Sequence, residues 1–127
     1  MTAINIKSFE ILNSWQQHLN EGNISGILKL YDMSCVLIPT FSSEILTDQQ
    51  QIKEYFVKVI EVQNAKVKFL PNSISEKQVG ENMYILSGKY FFHLIEKNKI
   101  PARFSFLINL SSKNPILHHH SSRSISN

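Results

Sequence analysis

An α+β fold built on an antiparallel sheet is what this chain predicts, and three features predict it. Apolar residues recur at helical spacing only in the first half, while β-branched and aromatic runs bounded by turn signals fill the second. The two kinds of segment do not alternate, as they would in a parallel βαβ protein. Finally, 127 residues suffice for one hydrophobic core and not for two, so we take residues 1–122 as a single domain and 123–127 as a polar tail that frays.

From Lys7 to Asn20, the residues Ile11, Leu12, Trp15 and Leu19 share one helical face, and "EGN" supplies a stop. "NISGILKLYD" reads as a short second helix capped by Asn23 or Ser25, with Ile24, Ile27, Leu28 and Tyr31 pointing inward. "SCVLIPTFSS" is apolar, β-branched and interrupted by Pro39, the pattern of a short edge strand running into a loop. Thr47 opens a third helix, "TDQQQIKEYFVKVIEV", with Gln50 in a capping-box position and Ile52, Phe56, Val59 and Ile60 as its apolar stripe.

After Asn64 come "AKVKFL", "NSISEKQV", "NMYILSGKYFFHLIE", "KIPARFSFLINLS" and "PILHHHSS", a set of strands separated by turns such as "VGEN" and "SSKNP". The strands from Met83 to Glu96 and from Lys99 to Ser111 form a hairpin through "EKNK". Both carry apolar residues on two faces, so both faces need a cover. The helices supply one, and a second copy of the sheet is the economical source of the other. The interface is expected on the side bearing Phe92, Phe104 and Phe106.

Composition narrows the functional classes. Apolar residues at 43% and charged residues at 18% exclude disorder. A net charge of +3, from 11 scattered lysines and two arginines without basic runs, argues against nucleic-acid binding. The lone Cys35 excludes an internal disulfide and a zinc site built on several thiolates, and reads as a small buried hydrophobe. Neither a secretory apolar region nor a membrane-spanning segment is present, which gives the expectation of a cytoplasmic protein without a membrane partner.

The chemistry concentrates near the end. On a strand, His118 and His120 share one face and His119 takes the other. The triplet follows the strand-like "PIL" and fits the strand period, unlike a purification tag beside linker residues. A pair at i and i+2, roughly 6.6 Å apart along the strand, could hold one ion. However, His93, Glu96 and the distant Cys35 provide no evident third ligand, so neither a metal nor another cofactor is expected. His118 or His120 could instead act as a catalytic acid or base in a partly dry pocket, helped by Tyr90 or a serine, or could simply line a polar cavity. In "PARFSFLIN", alternation puts Arg103, Ser105 and Leu107 on one face and Ala102, Phe104 and Phe106 on the other. A guanidinium cannot shed its charge, so on a concave face Arg103 needs an anionic or carbonyl partner.

Taken in order, "LIPTFSS", "IKEYF", "SGKYFFHL", "ARFSFLINL" and "ILHHHSS" resemble bacterial relatives of the calcium/calmodulin-dependent protein kinase II association domain. That group lies within the nuclear transport factor 2-like (SnoaL-like, ketosteroid-isomerase-like) superfamily. The resemblance spans the chain from the Trp15 helix to Ser122. It implies a cone, in which a strongly curved antiparallel sheet wraps a long helix and leaves a pocket between them. It also implies that Arg103, His118 and His120 line that pocket, with Thr40, Ser42, Tyr55 and Tyr90 as further lining. The sequence departs from the group at Asn114 and Pro115, where an aromatic residue commonly precedes the last strand.

A pocket with these donors suits a small carboxylate or another compact anion, held by a homodimer. An assembly module with a vestigial pocket and an isomerase- or hydrolase-like enzyme using a pocket histidine are the alternatives. Isomerases of this fold place a carboxylate base in an apolar cavity, and Glu96, Glu44, Asp48 and Glu54 show no spacing that would put one there.

Overall fold

The computed structural model describes residues 6–97 and 99–125. Its elements run α1 (Ile6–Glu21), α2 (Ile24–Lys29), β1 (Tyr31–Ile38), α3 (Gln49–Phe56), β2 (Lys66–Phe69), β3 (Ser75–Gly80), β4 (Met83–His93), β5 (Ile100–Asn109) and β6 (Ile116–Arg123). A π-helical turn at Val57–Val62 prolongs α3, and a 3-10 turn at Pro71–Ser73 links β2 to β3.

The helices form where the apolar stripes demand them. Leu12, Trp15 and Leu19 of α1 are buried, as are Ile52 and Phe56 of α3 and Val59 and Ile60 of its continuation. The "EGN" stop is a Schellman motif. Gly22 adopts φ +72°, its N–H donates to the Leu19 carbonyl at 3.1 Å, and the Asn23 N–H donates to the His18 carbonyl at 2.8 Å. Asn23 then caps α2 by accepting from Gly26 N–H at 2.9 Å. At α3 the cap lies one residue beyond the expected Thr47. Asp48 accepts from Gln51 N–H at 2.8 Å, while the Gln51 side chain reaches back to Thr47 N–H, also at 2.8 Å.

The six strands make one curved sheet in the order β1-β6-β5-β4-β2, with β3 pairing the other part of β4. The expected hairpin is there: β4 and β5 pair antiparallel from Met83↔Asn109 to Phe92↔Ile100. Of its predicted turn residues, Asn98 lies outside the described residues, as do Ser126 and Asn127 of the tail. One pairing breaks the antiparallel expectation, because edge strand β1 runs parallel to β6 with Leu37 opposite His119. These strands are separated by more than half of the chain, so no tight turn constrains their relative direction. The last strand also takes in Arg123, and Ser124 N–H still donates to the Pro101 carbonyl at 3.0 Å.

Two expectations are corrected. Tyr31 belongs to β1 and not to the second helix, which ends at Lys29. Phe92, Phe104 and Phe106 are buried against the helices instead of forming an exposed interface. The face they share with Leu86, Tyr90, Ala102 and Ile108 is the core. Alternation therefore puts Ile85, Ser87, Lys89, Arg103, Ser105 and Leu107 on the outer face, away from the core, where Ser73 of the 3-10 turn accepts from Lys89 N–H at 2.8 Å.

The β2 edge is closed by side chains of α1. Asn20 donates to the Val67 carbonyl at 2.9 Å and accepts from Val67 N–H at 2.7 Å, and Gln16 accepts from Phe69 N–H at 2.8 Å. These bonds satisfy backbone groups that an open edge would present to another strand.

Candidate functional site

The interior of the cone is built around His119. It faces Phe106 across the β5–β6 ladder, and the two rings stack with centroids 3.8 Å apart at 18°. Trp15 from α1 meets the same imidazole edge-on, with centroids 5.4 Å apart at 89°. The ring is 2% exposed. Burial pushes its pKa well below the ordinary 6.5, and neighbouring His118 and His120 add to that shift, so the imidazole is neutral.

Both ring nitrogens are partnered. Trp15 Nε1–H donates to the Tyr31 hydroxyl at 2.9 Å, and that hydroxyl lies 2.8 Å from His119 Nδ1. On the other side, His119 Nε2 lies 3.2 Å from the Tyr90 hydroxyl, which donates to Ser121 Oγ at 2.5 Å. Ser121 is in turn hydrogen-bonded to Thr40 Oγ1. Burial raises both Tyr31 and Tyr90 well above the ordinary phenol value of 10.0, so each keeps its proton.

The hollow beside this chain of groups is lined by Trp15, Leu19, Tyr55, Tyr90, Phe92, His119 and Ser121, among others, and holds only about 10 Å³. That is space for one water at most. Its lining contains no carboxylate, so the acid–base arrangement of a ketosteroid isomerase has no counterpart in it. Thr40 and Tyr55 also line a second, much larger cavity at the mouth, of about 660 Å³. Its charged lining comprises Lys58, Lys97 and Arg123 against Glu44 and Glu54, with Ser42, Gln51 and Gln63 as neutral polar groups. The Tyr55 hydroxyl accepts from Phe41 N–H at 3.4 Å, and burial holds this phenol well above its ordinary value.

The residues expected to share one pocket are divided between two faces. Thr40, Ser42, Tyr55 and Tyr90 lie on the helix side, at the mouth or just inside it. Arg103, His118 and His120 lie on the outer face, opposite Ser122, Leu107 and Ser105 respectively. There Arg103 and His120 line a shallow groove of about 520 Å³ with Lys89, Ser73, Ser87 and Ser122, and His118 is not part of its lining. Lys89 and Arg103 stand directly opposite each other across β4 and β5, and the Ser87 and Ser105 hydroxyls bond at 2.7 Å two pairs further along, on the same face. Among the described residues no three His, Cys, Asp or Glu side chains come together. Cys35 is buried, which pushes its thiol up to about 12.

Sequence reasoning missed Trp15, Tyr31, His119, Ser121 and Arg123 as site residues. No local signal singled out His119, because alternation leaves open which face is inward; the β5–β6 register, which sets it opposite buried Phe106, decides it. Arg123 sat in the supposed tail, yet it pairs with inward-facing Ala102 and so reaches the mouth.

Comparison with known proteins agrees with this architecture. A protein from Xanthomonas campestris assigned to a calcium/calmodulin dependent protein kinase II association domain superimposes with TM-score 0.85 at 24% identity, covering 99% of this chain and 91% of that one. An NTF-2 like protein of unknown function from Shewanella oneidensis gives TM-score 0.74 at 16% identity, covering 91% and 96%. The beta subunit of benzoate 1,2-dioxygenase from Burkholderia mallei gives 0.75 at 10%, covering 98% and 93%. At these identities the likeness establishes the fold. No curated protein matches the sequence. Among the described residues no helix is long and apolar enough to cross a membrane. The model of the calcium/calmodulin dependent protein kinase II association domain matches residues 6–124, and the chain belongs to that family.

Proposed function

We propose that this protein is a self-associating module that binds a small carboxylate in the cavity at the mouth of its cone. The observation that carries the reading is the position of Thr40. Its hydroxyl ends the buried chain of hydrogen bonds and opens on a cavity of about 660 Å³ that also contains Arg123, Lys58 and Lys97. A carboxylate placed there meets a guanidinium able to make charge-assisted bonds and a hydroxyl donor beside it. Glu44 and Glu54 leave the lining one positive charge in excess, which favours a single anionic group on an otherwise polar molecule over a polyanion.

This reading keeps Thr40, Ser42 and Tyr55 as binding residues, with Tyr90 acting from behind them. The charged role given to Arg103 passes to Arg123. Self-association uses the outer sheet face, where Ile85, Leu107, Val36 and Ile38 are only half-buried. Membership of an association-domain family supports self-association, and the half-buried apolar residues of the outer face support placing it there.

Titration of the wild-type protein with propionate, followed by calorimetry or amide chemical shifts, tests the binding half. Loss of the guanidinium in Arg123→Ala is expected to weaken binding at least about tenfold, whereas Arg103→Ala leaves it unchanged. Equal affinity in Arg123→Ala and wild type would refute the site.

A further inference from the structure

The interior hydrogen-bond chain has a direction, and the inventory of donors and acceptors fixes it. An indole has a hydrogen to give and no lone pair to accept one, so the Trp15 end is a source. Tyr31 therefore accepts from Trp15 and has its own hydrogen left, and its other partner is His119 Nδ1. Tyr31 is 1% exposed, so a phenolic hydrogen not used there would be buried without an acceptor. Nδ1 is thus the accepting nitrogen, and in a neutral imidazole the proton then sits on Nε2.

The rest follows by the same accounting. His119 Nε2–H donates to the Tyr90 oxygen, and Tyr90 hands its hydrogen to Ser121, the direction that the 2.5 Å bond also has. Ser121, having accepted, donates to Thr40. Running the chain the other way, from Thr40 to His119, would place the ring proton on Nδ1. Two hydrogens would then point at the Tyr31 oxygen, and the hydrogen of Tyr31 itself would have nowhere to go.

We infer that the buried chain Trp15–Tyr31–His119–Tyr90–Ser121–Thr40 is polarised outward, so that Thr40 presents its hydroxyl hydrogen to the mouth and selects a ligand with an acceptor oxygen there. The inference rests on the mouth being the binding cavity and deepens that reading. It makes Thr40 the contact residue and makes Tyr31 and His119 positioning residues, which act on the ligand without touching it. A ligand whose nearest group is an ammonium or another obligate donor meets hydrogen against hydrogen at this point. A carboxylate or carbonyl oxygen completes the chain.

The experiment reads the proton and the ligand separately. Long-range ¹H–¹⁵N correlation on histidine-labelled wild-type protein reports the tautomer of His119, and the expected signal is Nε2–H. A predominant Nδ1–H tautomer would overturn the inference whether or not any ligand binds. Tyr31→Phe removes the acceptance step that fixes the direction, so the tautomers should mix, and the affinity for propionate should fall about threefold to tenfold although Tyr31 does not line the mouth. Thr40→Val should lower it about tenfold; binding as tight as wild type in both variants would also overturn the inference. If wild type shows no propionate-dependent shifts at Thr40, Tyr55 or Arg123, the carboxylate reading falls, and the tautomer signal still decides the polarity.

Discussion

His119 has its two ring nitrogens bonded to phenols that both keep their protons, one face stacked on Phe106, and Trp15 set perpendicular beside it. Its hydrogen-bond partners include no carboxylate, so nothing there offsets the cost of charging a buried imidazole. The unfolded chain takes up a proton below pH 6.5 while the folded chain does not. The unfolded state then binds more protons, and stability rises with pH through this region. The contribution is complete above about pH 6.5 and is lost as the pH falls below it, with a slope of up to about 1.4 kcal/mol per pH unit. Denaturant melts between about pH 5 and 7, above the carboxylate range, should show this loss in wild type. His119→Phe should flatten it, and His118→Gln should retain most of it, because His118 lies on the outer face and is only half-buried, whereas His119 is enclosed in the core. A flat wild-type profile would mean that His119 charges in the folded protein.

Elements are held to one another by side chains that complete backbone pairing as much as by the core. The bond pair from Asn20 to Val67 fastens the last turn of α1 to the free edge of β2. Asn20→Ala leaves both an N–H and a carbonyl of Val67 without these partners in a half-buried place, at a cost of about 1–3 kcal/mol. The loss should be read as a lowered denaturation midpoint with an unchanged denaturant slope. An unaltered midpoint would show that water replaces the amide without penalty. Legibility differed among the elements for the same kind of reason. The stripes of α1 and α3 and the "EGN" stop could be read because they are local patterns in 3.6-residue register. Tyr31 was misassigned to α2 because its spacing from Ile24, Ile27 and Leu28 fits a helix; β6 lies far along the chain, and pairing with it draws Tyr31 into a strand.

For the whole molecule, the sheet has one dry face and one outer face on which, among the described residues, apolar side chains are left half-buried. Half-buried Ile85 and Leu107 on β4 and β5, with Val36 and Ile38 on β1, give that outer face an apolar component. Arg103, Lys89 and His120 border it. A charge at its centre should prevent assembly while sparing the cone, since the core lies on the opposite side. Leu107→Asp is therefore expected to sediment as a monomer with native circular dichroism and unchanged propionate binding, and wild type as a homodimer. Wild type and variant of equal mass would move the association surface elsewhere. The earlier placement of the interface on Phe92, Phe104 and Phe106 failed because alternation yields two sets of residues without saying which one the helices cover.

Order and type of the elements, the helix caps to within a residue, the hairpin and the family were all determined by the sequence alone, because each depends on neighbours within a few turns or on a motif read along the chain. Tertiary structure decided which parity of β5 and β6 looks inward. That choice sent Arg103, His118 and His120 outside, brought His119 and Ser121 in, and carried Arg123 to the mouth. The physical reason is that alternation in a strand is symmetric until something packs on one side, and the covering residues, Trp15 foremost, lie about a hundred positions away along the chain from the histidine they enclose.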